Sequence, residues 1–528
     1  MRGTYNAARW LLDRNVDEGR GDSLAVICGA TRLSYQDVLR QVWRAQNALR
    51  ELDVRPDERV ALIVNDEPEL IVWFLAALRS GAVAVPLSTM LTAGELASVV
   101  ADAGAQVVVV SEPYAGHIPV LAGAAQALRA AVVIGPTHAD GAAHADGAAH
   151  AAGPIPVHSW LDFTDDAEAA VAPTREDTPA FWLYTSGTTG KPKGAMHRHA
   201  NLEATATTYA RSVLDIGADD RCLSVAKLFF AYGLGNSLTF PFSVGASTVL
   251  EPRRPTPHLM ADLLVEERPT LFFATPGFLA ALLDADLPGD TFASVRLSVS
   301  AGEALPADLH RRVTNTFGHP LLDGIGSTEA LHIFLSNWAG AERGGTSGTP
   351  VPGYEVKLLD DDDQPVTDPD EPGYLHVKGP STAIGYWCRR DATQAAMRGE
   401  WLRTGDVYTQ SANGYYTFLG RNNDMIKAGG VWVSPAEVEG VLIEHGDVLE
   451  AAVVGSRDAN GLETTVAFLV PRTGHAIDSR SIEEHCRSRM AAFKRPRRII
   501  ETEKLPKTPT GKIQRFALRE QLRAELHR

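Results

Sequence analysis

The chain has few cysteines, and those it has lie far apart in the sequence. The cysteines among its 528 residues are Cys28, Cys222, Cys388 and Cys486. None of them forms a CxxC pair, which excludes the usual cysteine zinc sites and a disulfide framework. We therefore expect reduced thiols, as is typical of a cytoplasmic protein.

The chain also lacks a long apolar run and an excess of positive charge. Its longest apolar run, residues 70–78, is far too short to cross a bilayer, and the first five residues lack the apolar core of a signal peptide. The 50 basic residues are outnumbered by 65 acidic ones, which leaves a net charge of −15. Such a field repels nucleic acid and anionic membranes. We therefore expect a soluble, cytoplasmic protein that binds neither of them.

What the chain does contain is a regular alternation of short β-branched runs with helical segments. Residues 60–64, 82–85 and 107–110 are typical of buried parallel strands. Residues 67–80 have helical length and stop at Gly81. This pattern predicts an α/β fold, and the chain is too long for a single core.

Two later regions differ in composition from this α/β part. Glycine, proline and short alternating segments dominate residues 344–420, which predicts a β-rich subdomain. Basic residues gather after residue 420, so we place a domain boundary at residues 421–424 and expect a small α+β lid over residues 425–528. Residues 138–153 contain a doubled His-Ala-Asp-Gly-Ala-Ala unit, interpreted as a surface insertion rather than a metal site.

The most informative stretch is Tyr-Thr-Ser-Gly-Thr-Thr-Gly-Lys-Pro-Lys-Gly at residues 184–194, directly after an apolar run. Its glycines let backbone N–H groups approach an anion, and its hydroxyls and lysines add donors and positive charge. The residues concerned are Thr185, Ser186, Gly187, Thr188, Thr189, Gly190, Lys191 and Lys193. Pro192 stands where a Walker A motif would need its second glycine. The stretch predicts a polyphosphate-binding loop, with a flexible surface linker as the alternative.

Further polar clusters follow this glycine-rich loop. Residues 323–329, Asp-Gly-Ile-Gly-Ser-Thr-Glu, put Glu329 after a tight turn, where a carboxylate is suited to hold Mg²⁺ against phosphate oxygens. Asp406 lies in a Thr-Gly-Asp segment and could accept two ribose hydroxyls. Asn423 lies in Gly-Arg-Asn-Asn-Asp at the proposed boundary, and Lys512 lies on a segment braced by proline and glycine. Each cluster alone is typical of a turn or a solvated loop.

Together and in this order, these motifs resemble those of the AMP-forming acyl-CoA synthetases. That superfamily also contains firefly luciferase and the adenylation domains of peptide synthetases. The resemblance extends from about residue 20 to 520, and residues 227–236, 300–305 and 331–337 resemble the benzoate–CoA ligase branch. It implies two steps. A carboxylate attacks the α-phosphate of ATP to give acyl-AMP and pyrophosphate, and the C-terminal domain then rotates so that the thiol of coenzyme A displaces AMP.

The resemblance also implies roles for individual residues at the nucleotide. The glycine-rich loop would grip the β- and γ-phosphates, Glu329 would hold Mg²⁺, and Thr328 would contact the α-phosphate. Lys512 would bridge the attacking carboxylate and the phosphate, and should matter only in the first step. Adenine and ribose would be framed by Gly302, Glu303, Ala304, Asp323, Gly324, Ile325, Asp406 and Arg421.

The acid pocket implied by the resemblance is flat, narrow and mostly apolar. It would contain Phe230, Ala231, Tyr232, Ala301, Gly326, His332 and Ile333. Relatives that activate α-amino acids have an aspartate where this chain has Ala231, which cannot pair with an ammonium group. Such a slot fits a benzene ring better than a long alkyl chain. His332 is close enough to Glu329 in sequence to contact a ring substituent, so benzoate, hydroxybenzoates and aminobenzoates all stay open.

On the lid side, the resemblance implies rotation about a hinge. The family usually has an acidic residue or lysine where this chain has Asn423, and a short polar residue still tolerates the backbone change. Lys427 or the backbone of Gly429 and Gly430 would line the pantetheine tunnel. Further candidates on the coenzyme A side are Trp432, Lys494 and Arg497.

We therefore predict an aryl acid–CoA ligase that uses ATP, Mg²⁺ and coenzyme A. One alternative is a free-standing aryl-acid activator that loads the phosphopantetheine thiol of a carrier protein. Another is a non-catalytic nucleotide-binding protein, which predicts loss of Lys512, Glu329 or the glycine-rich loop; all three are present. Luciferase-like oxidation is a further, disfavoured alternative.

Overall fold

A computed structural model describes residues 3–135, 155–186, 192–422, 424–428, 431–457, 463–507 and 513–526. The strands, in chain order, are β1 Leu24–Cys28, β2 Thr31–Ser34, β3 Arg59–Ile63, β4 Val83–Pro86, β5 Val107–Ser111, β6 Ala130–Ile134, β7 Val157–Ser159, β8 Pro179–Ser186, β9 Pro192–Arg198, β10 Arg221–Ser224, β11 Ser247–Leu250, β12 Leu271–Ala274, β13 Leu297–Ser300, β14 Leu321–Gly326, β15 Ile333–Ser336, β16 Thr349–Pro350, β17 Glu355–Leu359, β18 Gly373–Lys378, β19 Gly385–Tyr386, β20 Met397–Arg398, β21 Trp401–Gln410, β22 Tyr416–Arg421, β23 Ile426–Ala428, β24 Val431–Val433, β25 Val448–Arg457, β26 Glu463–Pro471 and β27 Arg498–Glu501.

The α-helices, again in chain order, are α1 Tyr35–Glu51, α2 Pro68–Arg79, α3 Ala93–Ala103, α4 Ile118–Ala124, α5 His199–Thr205, α6 Ala231–Leu234, α7 Phe240–Val244, α8 Pro257–Glu266, α9 Pro276–Asp284, α10 Ala307–Phe317, α11 Arg390–Ala396, α12 Pro435–Ile443, α13 Ser479–Arg489 and α14 Arg515–Leu526. Short 3-10 or π-helical turns lie at Arg9–Asp13, Val16–Arg20, Glu112–His117, Trp160–Asp162, Ala206–Arg211 and Gly235–Thr239.

Two large, mainly parallel sheets form the N-terminal part. One has the order β16-β15-β14-β13-β12-β10-β11-β1-β2, and the other has the order β19-β9-β8-β4-β3-β5-β6-β7. In β3, β4 and β5 nearly every residue is buried, because helices cover both faces of a parallel sheet. The predicted strands and the predicted helix before Gly81 match β3, β4, β5 and α2 to within about a residue.

The C-terminal third contains smaller sheets. Strands β17, β18, β21, β20 and β22 form a mainly antiparallel sheet that begins at Glu355 and ends at Arg421. After it come the β23–β24 pair and a three-stranded sheet, β25-β26-β27, accompanied by α12, α13 and α14. The predicted α/β fold, with its β-rich subdomain and small α+β C-terminal part, is confirmed. The domain boundary at residues 421–424 stays a prediction.

A buried ion pair ties the N-terminal segment to the core. Arg79, at the end of α2, has a side chain that is 2% exposed, and its Nη2 lies 2.8 Å from Oδ1 of Asp13. The same guanidinium donates a 2.7 Å hydrogen bond from Nη1 to Gln46 on α1. Charges this deeply buried need such partners.

Within the described ranges, no helix is long and apolar enough to cross a membrane. The repeat at residues 138–153 lies outside the described residues.

Candidate active site

The glycine-rich loop connects two paired strands. Thr185 and Ser186 end β8, and their partners in the antiparallel register are Lys193 and Pro192 at the start of β9. The remaining predicted loop residues, Gly187, Thr188, Thr189, Gly190 and Lys191, lie outside the described residues. The described structure therefore places Thr185 and Ser186 at the end of one strand and Lys193 at the start of the next.

Glu329 lies in the turn that follows β14, near the same strands. Its carboxylate Oε1 accepts a 2.6 Å hydrogen bond from the Tyr386 hydroxyl. Its backbone carbonyl accepts a 2.7 Å bond from the N–H of Ala383. Loops at the carboxyl ends of parallel strands are the usual ligand sites of open α/β sheets. The carboxylate supplies the oxygen donors that Mg²⁺ prefers, so the residues present fit this ion.

Thr328, the neighbour of Glu329, is held through its backbone by a buried histidine. His197 Nε2 lies 2.9 Å from the Thr328 carbonyl oxygen, and His197 Nδ1 lies 2.9 Å from the Asn201 amide nitrogen. Burial lowers the pKa of His197 to about 4, so the ring is neutral at neutral pH. Because a carbonyl can only accept, Nε2 carries the proton and Nδ1 accepts from Asn201.

The residues predicted to bind adenine and ribose lie on two pairs of adjacent strands. Asp323 on β14 is the register partner of Ser300 at the end of β13, and burial raises its pKa well above the usual range. Asp406 and Arg421 are register partners on β21 and β22, with 2.9 Å between Arg421 Nε and Asp406 Oδ1. Gly302, Glu303 and Ala304 follow β13, and Gly324 and Ile325 follow Asp323 on β14.

Of the aromatic residues in the predicted acid pocket, Tyr232 packs against His332, and Tyr209 and Phe240, which the sequence did not predict, pack against the same ring. The His332 ring centroid lies 5.5 Å from that of Tyr232, 5.3 Å from that of Tyr209 and 4.5 Å from that of Phe240. Gly326 backs directly onto this residue, since a Cβ there would lie 2.5 Å from the His332 carbonyl oxygen.

The rest of the predicted pocket lies on the same elements. The Tyr232 hydroxyl donates a 3.0 Å bond to the Val299 carbonyl on β13, the strand that Ala301 follows. Ala301 and Ile333 belong to one buried apolar cluster, and Tyr232 packs against it. Phe230 and Ala231 stand half-buried at the start of α6, and Phe230 contacts Phe229 with 4.7 Å between ring centroids.

The proton positions around His332 follow from its partners. Ser224 donates its hydroxyl proton to the Ala226 carbonyl at 3.0 Å, and so accepts from the Asn236 amide nitrogen at 3.3 Å. This orients the Asn236 oxygen toward His332 Nε2 at 3.2 Å, and Nε2 must donate to it. Burial lowers the pKa of His332 to about 3, so Nδ1 carries no proton. Among the described residues, Nδ1 has no hydrogen-bond partner.

The predicted lid residues are placed only in part. Lys427 on β23 and Trp432 on β24 are register partners. Lys494 Nζ lies 2.5 Å from Glu437 Oε1, and Arg497 is exposed three residues further along. Gly429, Gly430, Asn423 and Lys512 lie outside the described residues.

The residue after the predicted hinge is bound to the last helix. Asp424 Oδ1 lies 2.7 Å from Arg519 Nη1 on α14. Arg515, on the same helix, pairs with Glu439 at 2.7 Å, and the charge of Glu303 is among those that raise the pKa of Arg515. The start of α14 is therefore tied by ion pairs to Asp424 and to Glu439 on α12.

Two family models match this chain. The model of the AMP-binding enzyme family matches residues 12–387, and that of the AMP-binding enzyme C-terminal domain matches residues 437–512. The chain belongs to the AMP-binding enzyme family. The expected kinship with the benzoate–CoA ligase branch of this family is confirmed by full-length relatives.

Among those relatives, the benzoate–CoA ligase of Thauera aromatica is 42% identical over 98% of this chain and 96% of its own length. The 4-hydroxybenzoate–CoA/benzoate–CoA ligase of Rhodopseudomonas palustris is 41% identical over 98% of this chain and 94% of its own length. A p-hydroxybenzoic acid–AMP ligase of Mycobacterium tuberculosis is 41% identical over 67% of this chain and 50% of its own length.

Solved structures of similar proteins superpose on this chain over nearly its whole length. A benzoate CoA ligase from Burkholderia xenovorans LB400 superposes with a TM-score of 0.87 at 41% identity, covering 98% of this chain and 100% of the other. An anthranilate CoA ligase in complex with anthranoyl-AMP superposes with a TM-score of 0.90 at 35% identity, covering 99% of both chains.

Sequence reasoning missed several residues of this AMP-binding enzyme. Tyr386, His197 and Asn201 support the Thr328–Glu329 turn, and Asn236 orients His332. One signal was available, because alternate residues of a strand share a face. His197 lies four residues after Lys193 on β9 and therefore on the same side of the strand. Tyr386 had no such local signal.

Proposed function

We propose that this AMP-binding enzyme activates an aryl carboxylic acid and transfers its acyl group to coenzyme A. In the first step a carboxylate oxygen bonds to the α-phosphorus of ATP, and the bond to pyrophosphate breaks. In the second step the thiol sulfur bonds to the acyl carbon, AMP leaves, and the thiol proton is lost. The products are pyrophosphate, AMP and an aryl-CoA.

The observation that carries this proposal is a cluster of buried aromatic rings beside the turn that contains Glu329. His332, which packs against Tyr232, is three residues from Glu329. Ala231 stands where relatives that activate α-amino acids have an aspartate. An acid without an ammonium group therefore suits this site. The full-length similarity to benzoate–CoA and hydroxybenzoate–CoA ligases supports the same chemistry.

Different residues of the chain would bind the two anions that must meet, the triphosphate of ATP and the carboxylate of the acid. Lys193 and the hydroxyls of Thr185 and Ser186 would hold the β- and γ-phosphates as the leaving group. Thr328 would contact the α-phosphate, and Lys512 would neutralise the charge where the carboxylate approaches it. Glu329 would hold Mg²⁺, which screens phosphate charge when bound.

The residues around His332 support a finer proposal about the acid. Nδ1 of His332 is a buried acceptor without a partner among the described residues, and an unmatched buried acceptor costs about 1–3 kcal/mol. A hydroxyl or amino group on the substrate ring would supply the missing proton. A hydroxybenzoate or aminobenzoate should therefore be used better than the fluoro- or methylbenzoate substituted at the same position.

The test is pyrophosphate release over a panel of acids, followed by product identification. The panel contains benzoate, its hydroxy, amino, fluoro and methyl derivatives, cinnamate and octanoate. We expect release with the aryl acids and an aryl-CoA product with free coenzyme A. A preference for octanoate over every aryl acid would overturn the pocket assignment.

The acceptor is tested with the same enzyme. Free coenzyme A and a pantetheinylated carrier protein are each titrated to saturation against benzoate and ATP. Thioester formation with free coenzyme A supports the ligase. Thioester on the carrier alone would instead establish the alternative, a carrier-loading activator.

A further inference from the structure

Tyr386 occupies a fixed position between the glycine-rich loop and Glu329. It lies on the two-residue strand β19, whose register partner for Tyr386 is Ala195 on β9. On either side, Trp387 N–H donates to the Gly194 carbonyl at 2.9 Å, and Ile384 N–H donates to the Met196 carbonyl at 2.9 Å. The backbone of Tyr386 is therefore attached to the strand that leaves the phosphate loop.

The side chain of Tyr386 reaches from this strand to Glu329. Its hydroxyl lies 2.6 Å from Oε1, in the range of a strong hydrogen bond to a charged acceptor. An ionised carboxylate can only accept, so the phenolic hydroxyl of Tyr386 is the donor. A carboxylate has about four lone-pair positions, so the bond to Tyr386 leaves positions for a metal ion.

The ring of Tyr386 also meets a cation of the phosphate loop. Lys193 Nζ lies 5.4 Å from the ring centroid, within the range of a cation–π interaction. One aromatic side chain thus contacts both the lysine predicted to hold phosphate and the carboxylate predicted to hold Mg²⁺. Lys193 and Glu329 carry opposite charges. In the proposed function, both act on the same triphosphate, Lys193 directly and Glu329 through Mg²⁺.

We propose that Tyr386 is a positioning residue that orients the Glu329 carboxylate for the magnesium–ATP complex. The inference rests on the proposed function, in which Glu329 is the residue that holds the ion. Tyr386 does not touch the reacting atoms. It restricts the rotation of the carboxylate, as hydrogen-bonded partners of metal ligands generally do.

The competing view is that Tyr386 only packs. It forms a small apolar cluster with Ala195 and Ala383, and loss of packing would lower thermal stability without changing the metal dependence. The two views therefore differ in one measurable quantity, the Mg²⁺ concentration required for nucleotide binding. This quantity can be measured without turnover.

The decisive variant is Tyr386→Phe, which keeps the ring, the strand pairing and the contact with Lys193 but removes the hydroxyl. Binding of a non-hydrolysable ATP analogue is measured calorimetrically over a series of Mg²⁺ concentrations. We expect the Mg²⁺ midpoint to rise by about 10-fold, with unchanged binding in the absence of Mg²⁺. Raised Mg²⁺ should restore pyrophosphate release.

A matched control is available in the β-rich subdomain. The Tyr374 hydroxyl on β18 donates a 2.5 Å bond to Asp361 Oδ1, and this pair is exposed to solvent. Tyr374→Phe removes the same kind of bond and should leave the Mg²⁺ midpoint unchanged. An equal rise in both variants would overturn the inference.

A second variant guards against misfolding of the first. Glu329→Gln alone should raise the Mg²⁺ midpoint. In the double variant, adding Tyr386→Phe should change the midpoint by less than about 2-fold, because the effects of coupled residues are not additive. A full additional 10-fold rise would overturn the inference, as would a wild-type midpoint in Tyr386→Phe. Failure of the wild-type protein to release pyrophosphate with any aryl acid would overturn the proposed function instead.

Discussion

Gly235 offers a direct perturbation of the predicted acid pocket. A Cβ at this position would lie 2.4 Å from Cδ2 and 2.7 Å from Nε2 of His332, and 3.2 Å from Cζ of Phe240. His332 is 3% exposed and packs against Tyr209, Tyr232 and Phe240, so Gly235→Ala must displace the ring or the helical turn. Displacing the ring also breaks its 3.2 Å bond to Asn236.

The size of the effect follows from these contacts. Overpacking a core costs about 1–3 kcal/mol, and the lost hydrogen bond adds about 1 kcal/mol. Replacing glycine by alanine in a helical turn returns about 1 kcal/mol. If the remaining ~1–3 kcal/mol falls on the bound acid, kcat/KM for benzoate decreases roughly 5- to 150-fold. The KM for ATP should stay unchanged, because the phosphate side is untouched.

The assay is pyrophosphate release against benzoate concentration at saturating ATP. Gly123→Ala on α4 is the control, because a Cβ there meets nothing within 4 Å. In a His332→Ala background the clash partner is absent, so Gly235→Ala should cost much less than it does alone. A folded Gly235→Ala enzyme with wild-type kcat/KM, or with the same cost in both backgrounds, would refute the reasoning.

Three further predictions address the two half-reactions and the fold. Lys191→Ala should impair ATP use but leave thioester formation from supplied benzoyl-AMP nearly intact, as stopped-time product assays would show. Lys427→Ala should slow thioester formation from the same adenylate; if only adenylation slows, its assigned role is wrong. Asp13→Ala removes the charge partner of Arg79, whose side chain is 2% exposed, and should lower the free energy of unfolding by about 3–5 kcal/mol. Urea denaturation measures this loss, and a change below about 1 kcal/mol would contradict the buried-pair argument.

The parts of the site that could be predicted from sequence are those encoded over a few neighbouring residues. A loop that binds phosphate needs glycine, hydroxyl and lysine close together in the chain, so residues 185–193 were recognisable without a fold. Buried parallel strands leave apolar runs, and β3, β4 and β5 were predicted from theirs. The family resemblance then carried the roles of Glu329 and Lys512.

The supporting residues could not be predicted, because their partners are distant in the sequence. Tyr386 is 57 positions from Glu329, and His197 is 131 positions from Thr328. Tyr386 reaches Glu329 from β19, which pairs with β9, and His197 reaches Thr328 from β9 itself. No periodicity or local motif records which edge a two-residue strand will join.

By itself, therefore, the sequence determined the class of reaction, since the phosphate loop, Glu329 and Lys512 are recognisable as local motifs in a characteristic order. Only the tertiary structure decided how Glu329 and His332 are held, with the Tyr386 hydroxyl on Glu329 and Asn236 orienting a neutral His332. The reason is physical: a residue's chemical type is local, whereas its protonation, orientation and partners depend on burial and on contacts made across the sheets.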